Sequence, residues 1–182
     1  MIKLRKVLFI FVILFLVVGC GNMMNTPTKK VEEFLSKYQT MSEDVLSQLD
    51  TVIKDAGNFT DNQKEEYREL MKKQYQNLSY KIKDETEDGD NATIEVEIEV
   101  YDYGKAIKEA EAYLTTNRDE FLDEDKKEVD AEKFLDYKII QIKDIKDKVK
   151  YTINFTLTKV EDKWQLDDIS DVDRQKLHGI YY

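Results

Sequence analysis

From residue 91 to residue 101 the chain reads NATIEVEIEVY, and Ala92, Ile94, Val96, Ile98 and Val100 alternate without a break with Thr93, Glu95, Glu97 and Glu99. Alternation this strict places successive side chains on opposite faces of extended backbone. A helix through the same residues would spread the apolar side chains around its whole circumference. One face of the strand must be buried and the other solvated, which requires an antiparallel sheet covered on a single side. The rest of the chain has to supply partner strands for this segment and a cover for its apolar face.

The nearest partner lies just upstream. Leu78, Tyr80 and Ile82 also alternate, and Asp88-Gly89-Asp90 separates the two runs, predicting a hairpin of 78–86 against 91–101. Directly opposed residues share a face, so the apolar sets must pair even with even. That parity excludes a two-residue turn at 88–89 and predicts a three-residue loop over 88–90, with Gly89 at or near a left-handed position. It also sets Lys81 across from Glu97 and Lys83 across from Glu95.

The cover is read from helical spacing. Thr26-Pro27 has the form of an N-cap followed by proline at the first helical position. Val31, Phe34, Leu35 and Tyr38 then recur at helical intervals, and Val45, Leu46, Leu49, Val52 and Ile53 continue the stripe after Ser42. Thr60 with Gln63 is a capping-box pattern ahead of Tyr67, Leu70, Met71 and Tyr75. A further helix is predicted from about Gly104 with Ile107, Ala110, Tyr113 and Leu114, followed by one or two short helices ending near Leu135 or Asp136.

Residues 137–145 (YKIIQIKDI) are ambiguous, because Leu135, Ile139 and Ile142 have helical spacing. Placing Tyr80-Lys81-Ile82 on Tyr137-Lys138-Ile139 sets Ala92, Ile94, Val96, Ile98 and Val100 on Val149, Tyr151, Ile153, Phe155 and Leu157. That match arises from an internal duplication or from two hairpins of similar length, and the few identities favour the second. With the isoleucine content it favours a strand over 137–145, paired with 149–159. Trp164 and Leu166 form a last strand after a tight turn at Glu161-Asp162, and a short polar helix follows near 172–177. The prediction is an α+β fold: N-terminal helices plus a curved antiparallel sheet of about five strands, in one domain over 26–182.

The first residues belong to a different physical class. Lys3, Arg5 and Lys6 precede an unbroken apolar run, Val7 to Val18, too short for the ~20 residues that span a bilayer comfortably but typical of a secretory leader. Val17-Val18-Gly19-Cys20 resembles the lipobox of bacterial lipoproteins. The resemblance implies a diacylglycerol (palmitate-type acyl chains) on the Cys20 sulfur and cleavage before Cys20. That leaves 1–19 as signal peptide, 20–25 as lipidated tether, and the domain anchored at the extracytoplasmic face of the cell membrane. Two acyl chains hold where one binds only marginally. Cys20 is the only cysteine in the chain, so no disulfide is available.

Acidic residues outnumber basic ones 38 to 28, for a net charge of −10, and the leader holds three of the bases. Such a surface repels phosphates, which excludes nucleic acid as an expected partner and disfavours direct adhesion to anionic lipid.

The layout resembles the small lipoproteins of Gram-positive bacteria whose soluble part is NTF2-like or cystatin-like. The segments that carry the likeness are Thr26-Pro27, YDYGKAIKEAEAYL at 101–114 and YTINFTLTKVEDKWQLDDIS at 151–170. It implies a fold and a location, and no reaction. Members of the broader fold hold small molecules between the curved sheet and its helices. The corresponding pocket here would be lined by Ile94, Val96, Ile98, Tyr151, Ile153 and Phe155, with tyrosines as polar anchors. The competing outcome is a core filled by Phe34, Leu49, Tyr67 and Trp164.

Chemical motifs are weak. Asp84-x-Thr86-x-Asp88-Gly89 with Glu95 matches part of a calcium loop, but Thr86 and Asn91 break the pattern and strands flank it, so an acidic hairpin is the better reading. Glu95, Glu97 and Glu99 share a strand face that lysines would neutralise. His178 is the sole histidine and reads as a surface residue, and no serine lies in a nucleophile-like turn. No cofactor is expected. The expected function is a non-enzymatic, membrane-anchored module that binds a small molecule or an envelope protein. The alternative is a hydrolase using the sheet carboxylates.

Overall fold

A computed structural model describes residues 25–182 apart from 56, 58 and 126; Cys20 and the leader lie outside the described residues. Three helices come first: α1 (Pro27–Gln39), α2 (Glu43–Asp55) and α3 (Asp61–Gln76). The hairpin β1 (Ser79–Asp88) and β2 (Asn91–Tyr101) follows, then α4 (Tyr103–Thr116), a 3-10 turn at Arg118–Phe121 and α5 (Ala131–Asp144). The chain ends with β3 (Lys148–Val160), β4 (Lys163–Leu166) and α6 (Asp171–His178). The four strands form one open antiparallel sheet in the order β1-β2-β3-β4.

Helix starts follow the caps in the sequence. The Thr26 hydroxyl accepts from the Lys29 amide ahead of Pro27. Thr60 and Gln63 form the reciprocal capping box, satisfying two N–H groups the helix leaves free. The strand 91–101 is entirely β, its even residues buried and its odd residues facing outward.

The hairpin departs from the expected register in an instructive way. Asp88 pairs with Asn91, so the turn is the two residues Gly89-Asp90, with Gly89 at φ +60°. A turn this short pairs odd with even. The parity is restored by a β-bulge at Lys83, which has no partner: Asp84 lies opposite Glu95 and Ile82 opposite Val96. One extra residue in β1 therefore does the work expected of a third loop residue. Lys81 faces Glu97 as predicted, and Lys83 does not face Glu95.

The strand predicted over 137–145 is instead the second half of α5, so the sheet has four strands and not five. Asp130 caps this helix, its carboxylate accepting from the Glu132 and Lys133 amides. Ile139 and Ile142 are buried with Leu70, Tyr103 and Ala106 in a second apolar cluster. The 135/139/142 spacing thus outweighed the β-branched content, because α3 and α4 offer a helix a place to pack. β3 pairs antiparallel with β2, not with 137–145, so the two runs aligned as a repeat face each other in reverse order: Ala92 with Leu157, Ile94 with Phe155, Val96 with Ile153, Ile98 with Tyr151 and Val100 with Val149, of which Val96–Ile153 alone is also an aligned pair.

Two buried glutamines and an asparagine join distant elements. The Gln74 side chain, fully buried, donates to the carbonyls of Tyr101 (2.8 Å) and His178 (2.9 Å) and accepts from the Tyr101 amide. Gln63 donates to the Glu132 carbonyl and the Asp136 carboxylate, fixing α5 to α3. Asn25 donates to the Asp162 carbonyl (2.9 Å) and accepts from the Trp164 amide (3.1 Å), fixing the start of the domain to the β3–β4 turn. That turn has both Glu161 and Asp162 at positive φ, the geometry that matches the twist of a tight hairpin.

Candidate ligand site

The apolar sheet face is packed shut. Ile94, Val96 and Ile98 have no exposed surface, and Ile153 and Phe155 are 1% exposed. Val31, Leu35, Leu49, Met71, Tyr75 and Leu177 from the helices fill the space above them with Trp164, and Phe34 meets Phe155 edge-on at 5.7 Å. Tyr151, at the margin, donates its hydroxyl to the Tyr181 carbonyl at 2.8 Å. The six residues expected to line a pocket therefore belong to the core or its edge, and side chains of α1, α2, α3 and α6 occupy the volume.

A hollow lies one layer further out, among those same four helices. It has a volume of about 130 Å³ and is lined by Tyr38 of α1, Val45, Gln48, Leu49 and Val52 of α2, Tyr67, Met71 and Tyr75 of α3, and Arg174 and His178 of α6. The local sequence explains its walls. Tyr67, Met71 and Tyr75 stand four residues apart and so lie along one face of α3, as Arg174 and His178 do on α6. Tyr38 packs edge-on against Tyr75 with ring centres 5.0 Å apart, and His178 tilts against Tyr75 at 5.7 Å.

The polarity of the hollow differs from that of the surface. None of the lining residues is a carboxylate, in a chain rich in them, and Arg174 is the lining cation. Burial raises the hydroxyl pKa of Tyr38, Tyr67 and Tyr75, so all three stay protonated donors. Burial, aided by the Arg174 charge, lowers His178 to about 4, leaving a neutral imidazole that both donates and accepts. None of the three hydroxyls bonds to another described side chain or backbone group, yet no fully enclosed side-chain polar atom lacks a partner. Each hydroxyl therefore keeps some open surface, and all three tyrosines line the hollow. Val45, Leu49 and Met71 give it an apolar floor, with the exposed Val52 at its rim. The arrangement suits a small molecule with an apolar body and a hydrogen-bonding head.

His178 thus sits in the wall of a site and not on open surface. Its spacing from Arg174 on a polar helix was visible in the sequence. The convergence of that helix on three tyrosines from α1 and α3 was not.

The acidic features stand elsewhere. Glu97 on the open sheet face pairs with Lys150 (3.1 Å) and Lys83 (3.6 Å), and these lysines hold its carboxyl below the usual range. A general acid needs the opposite shift. Asp84 and Asp88 lie in extended backbone facing Glu95 and Asn91 across the hairpin, not on a loop that could wrap a cation. Among the described residues no group of three or more His, Asp or Glu side chains is placed to hold a metal, and no helix is long and apolar enough to cross a membrane.

No family model, no curated protein and no solved structure matches this chain.

Proposed function

We propose that the chain is a lipid-anchored extracytoplasmic binding module. Cys20 carries the anchor, and the tyrosine-lined hollow takes a small molecule with an apolar body and a polar head. The observation that carries the binding reading is the set of three protonated tyrosine hydroxyls, without partners among the described residues, in a hollow with an apolar floor. A hollow of about 130 Å³ is close to the ~150 Å³ of an engineered cavity that accepts benzene, so the ligand is of the order of one ring.

The test is a ligand-detected NMR screen of single-ring fragments, run in parallel on wild type and Val45→Phe. The new ring in Val45→Phe would occupy the hollow. Wild type should bind a subset of fragments that the variant loses, with the variant's folded dispersion retained. Failure of every fragment to bind wild type would sink the hollow as a ligand site and leave the surface as the binding element. The anchor is tested apart from this: Cys20→Ala should abolish fatty-acid labelling, and labelling that persists would end the lipoprotein reading.

A further inference from the structure

Asn25 is hydrogen-bonded through both ends of its amide to the β3–β4 turn. Four residues separate it from Cys20. Five residue steps of extended chain reach at most about 18 Å, short of the roughly 33 Å that separates the two ends of β2 by strand geometry. A lipid on Cys20 consequently holds one particular end of the sheet near the bilayer.

That end is well defined. β2 runs from Asn91, beside the β1–β2 turn, to Tyr101 at the opposite end, a length of roughly 33 Å for strand geometry. Asn91 pairs with Thr158 in β3, and the Lys159 amide donates to the Asp90 carbonyl at 2.8 Å. The two hairpin turns, 88–91 and 160–163, are therefore neighbours, and α1 begins beside them. The hollow belongs to the other half. α1 runs away from the turns, since the Gln39 side chain donates to the Leu78 carbonyl just before β1. Gln74 ties the end of α3 and the His178 carbonyl to Tyr101. Tyr38, Tyr75 and His178 therefore stand at the end remote from residue 25.

We propose, on the reading that Cys20 is lipidated, that the surface formed by the turns 88–91 and 160–163 faces the lipid headgroups. The half containing the hollow then points away from the membrane. The partner of this surface is the headgroup layer, met without insertion: Asp88, Asp90, Glu161 and Asp162 are exposed there, and Val160 is the large apolar side chain exposed beside them. Carboxylates at this end are repelled by anionic lipid. The tether holds them close, and the charge keeps them out.

The test uses the full chain, expressed with its leader, purified in detergent and inserted into preformed phosphatidylcholine vesicles with a fluorescent acceptor on the headgroups. Single cysteines are introduced by Asp90→Cys or Lys163→Cys at the near end and by Ser79→Cys or Lys146→Cys at the far end, and each is labelled with a donor dye. A lipid on the Cys20 sulfur leaves that thiol unreactive, so the chain without an added cysteine should take no dye. Labelling of that chain would overturn the anchor reading by itself. With Cys20 blocked, energy transfer from positions 90 and 163 should exceed that from 79 and 146 at least about twofold, given the ~33 Å between the ends. Equal transfer, or the reverse order, overturns the orientation. Asn25→Ala removes both side-chain bonds at the clamp, and its fold is checked by circular dichroism. It should narrow the difference between the ends, and an unchanged difference would show that this clamp does not set the orientation.

Discussion

Replacing Gln74 by leucine keeps the volume of the side chain and removes every polar contact it makes. Three backbone groups then lose a partner: the Tyr101 amide, the Tyr101 carbonyl and the His178 carbonyl. Leaving a buried backbone group unsatisfied costs ~1–3 kcal/mol. The two carbonyls keep a second lone pair and Tyr101 is only half-buried, so the expected loss for Gln74→Leu is about 3–5 kcal/mol. That is a large share of the ~5–15 kcal/mol that holds a domain of this size together. Gly179→Ala attacks the same joint from the other side. Gly179 ends α6 at φ +68°, and an added Cβ would land on the Gln74 amide nitrogen and the Tyr101 carbonyl. The left-handed conformation alone costs a residue with a Cβ ~1–2 kcal/mol, and displacement of the amide adds the lost bonds. Because both substitutions break one set of contacts, their effects should not add, and the double variant should lose clearly less than the sum. Urea unfolding followed through Trp164, 6% exposed and the sole tryptophan, measures all three. A loss below about 1 kcal/mol for Gln74→Leu, or full additivity with Gly179→Ala, would refute the reasoning that this amide is a structural joint.

Two further outcomes follow from features of the hairpin and the hollow. Deleting Lys83 should be tolerated at a cost of roughly 1 kcal/mol or less, because it removes the unpaired bulge residue and leaves the pairs Ile82–Val96 and Asp84–Glu95 in place. Deleting Lys81 should cost clearly more, because absorbing it at the bulge sets Lys83 opposite Val96 and Ile82 opposite Glu97, with Ile82 on the wrong face; urea unfolding of the two deletions decides the matter. His178 is lowered to about 4 by burial against ~6.5 in an unfolded chain. The unfolded chain binds its proton first, so the stability that the neutral ring provides is complete above pH 6.5 and is lost as pH falls from there toward 4. Urea unfolding between pH 7 and 5 should show this slope in wild type and a flatter one in His178→Gln, and equal slopes would show that His178 is not the group responsible.

Elements governed by local chemistry were legible in the sequence. The caps at Thr26 and Thr60 depend on side chains within three residues of the helix start, and the alternation from Ala92 to Val100 admits one backbone. The same holds for the Glu161-Asp162 turn and the helix near 172–177. Residues 137–145 failed because two patterns overlap there and the deciding contacts, with Leu70 and Tyr103, are more than thirty residues distant. The Asp130 cap was the missed local signal. The bulge at Lys83 was illegible because a turn residue and a bulge residue restore parity equally well. The hollow was illegible for a related reason. Each tyrosine reads as a core residue with a hydroxyl at its edge, and only the crossing of α1, α3 and α6 turns three such edges toward one another.

The Asn25 clamp and the Gln74 joint also bear on the order in which the molecule is made. Synthesis delivers the N-terminal end first, yet the Asn25 amide lacks its partners in the β3–β4 turn until Trp164 arrives, and Gln74, already held by Tyr101, lacks its bond to α6 until His178 does. Separations of 139 and 104 residues add little to the entropy of closing such contacts, since that cost grows only with the logarithm of length. The difficulty is one of timing. A nascent chain complete through β3 presents the apolar face of β2 with part of its cover still unmade. A chain that stops a few residues short of Gly179 lacks the C-terminal partner on which the fold closes. Premature termination near the end should therefore yield a product recognised by proteases as unfolded, and not a slightly shortened domain.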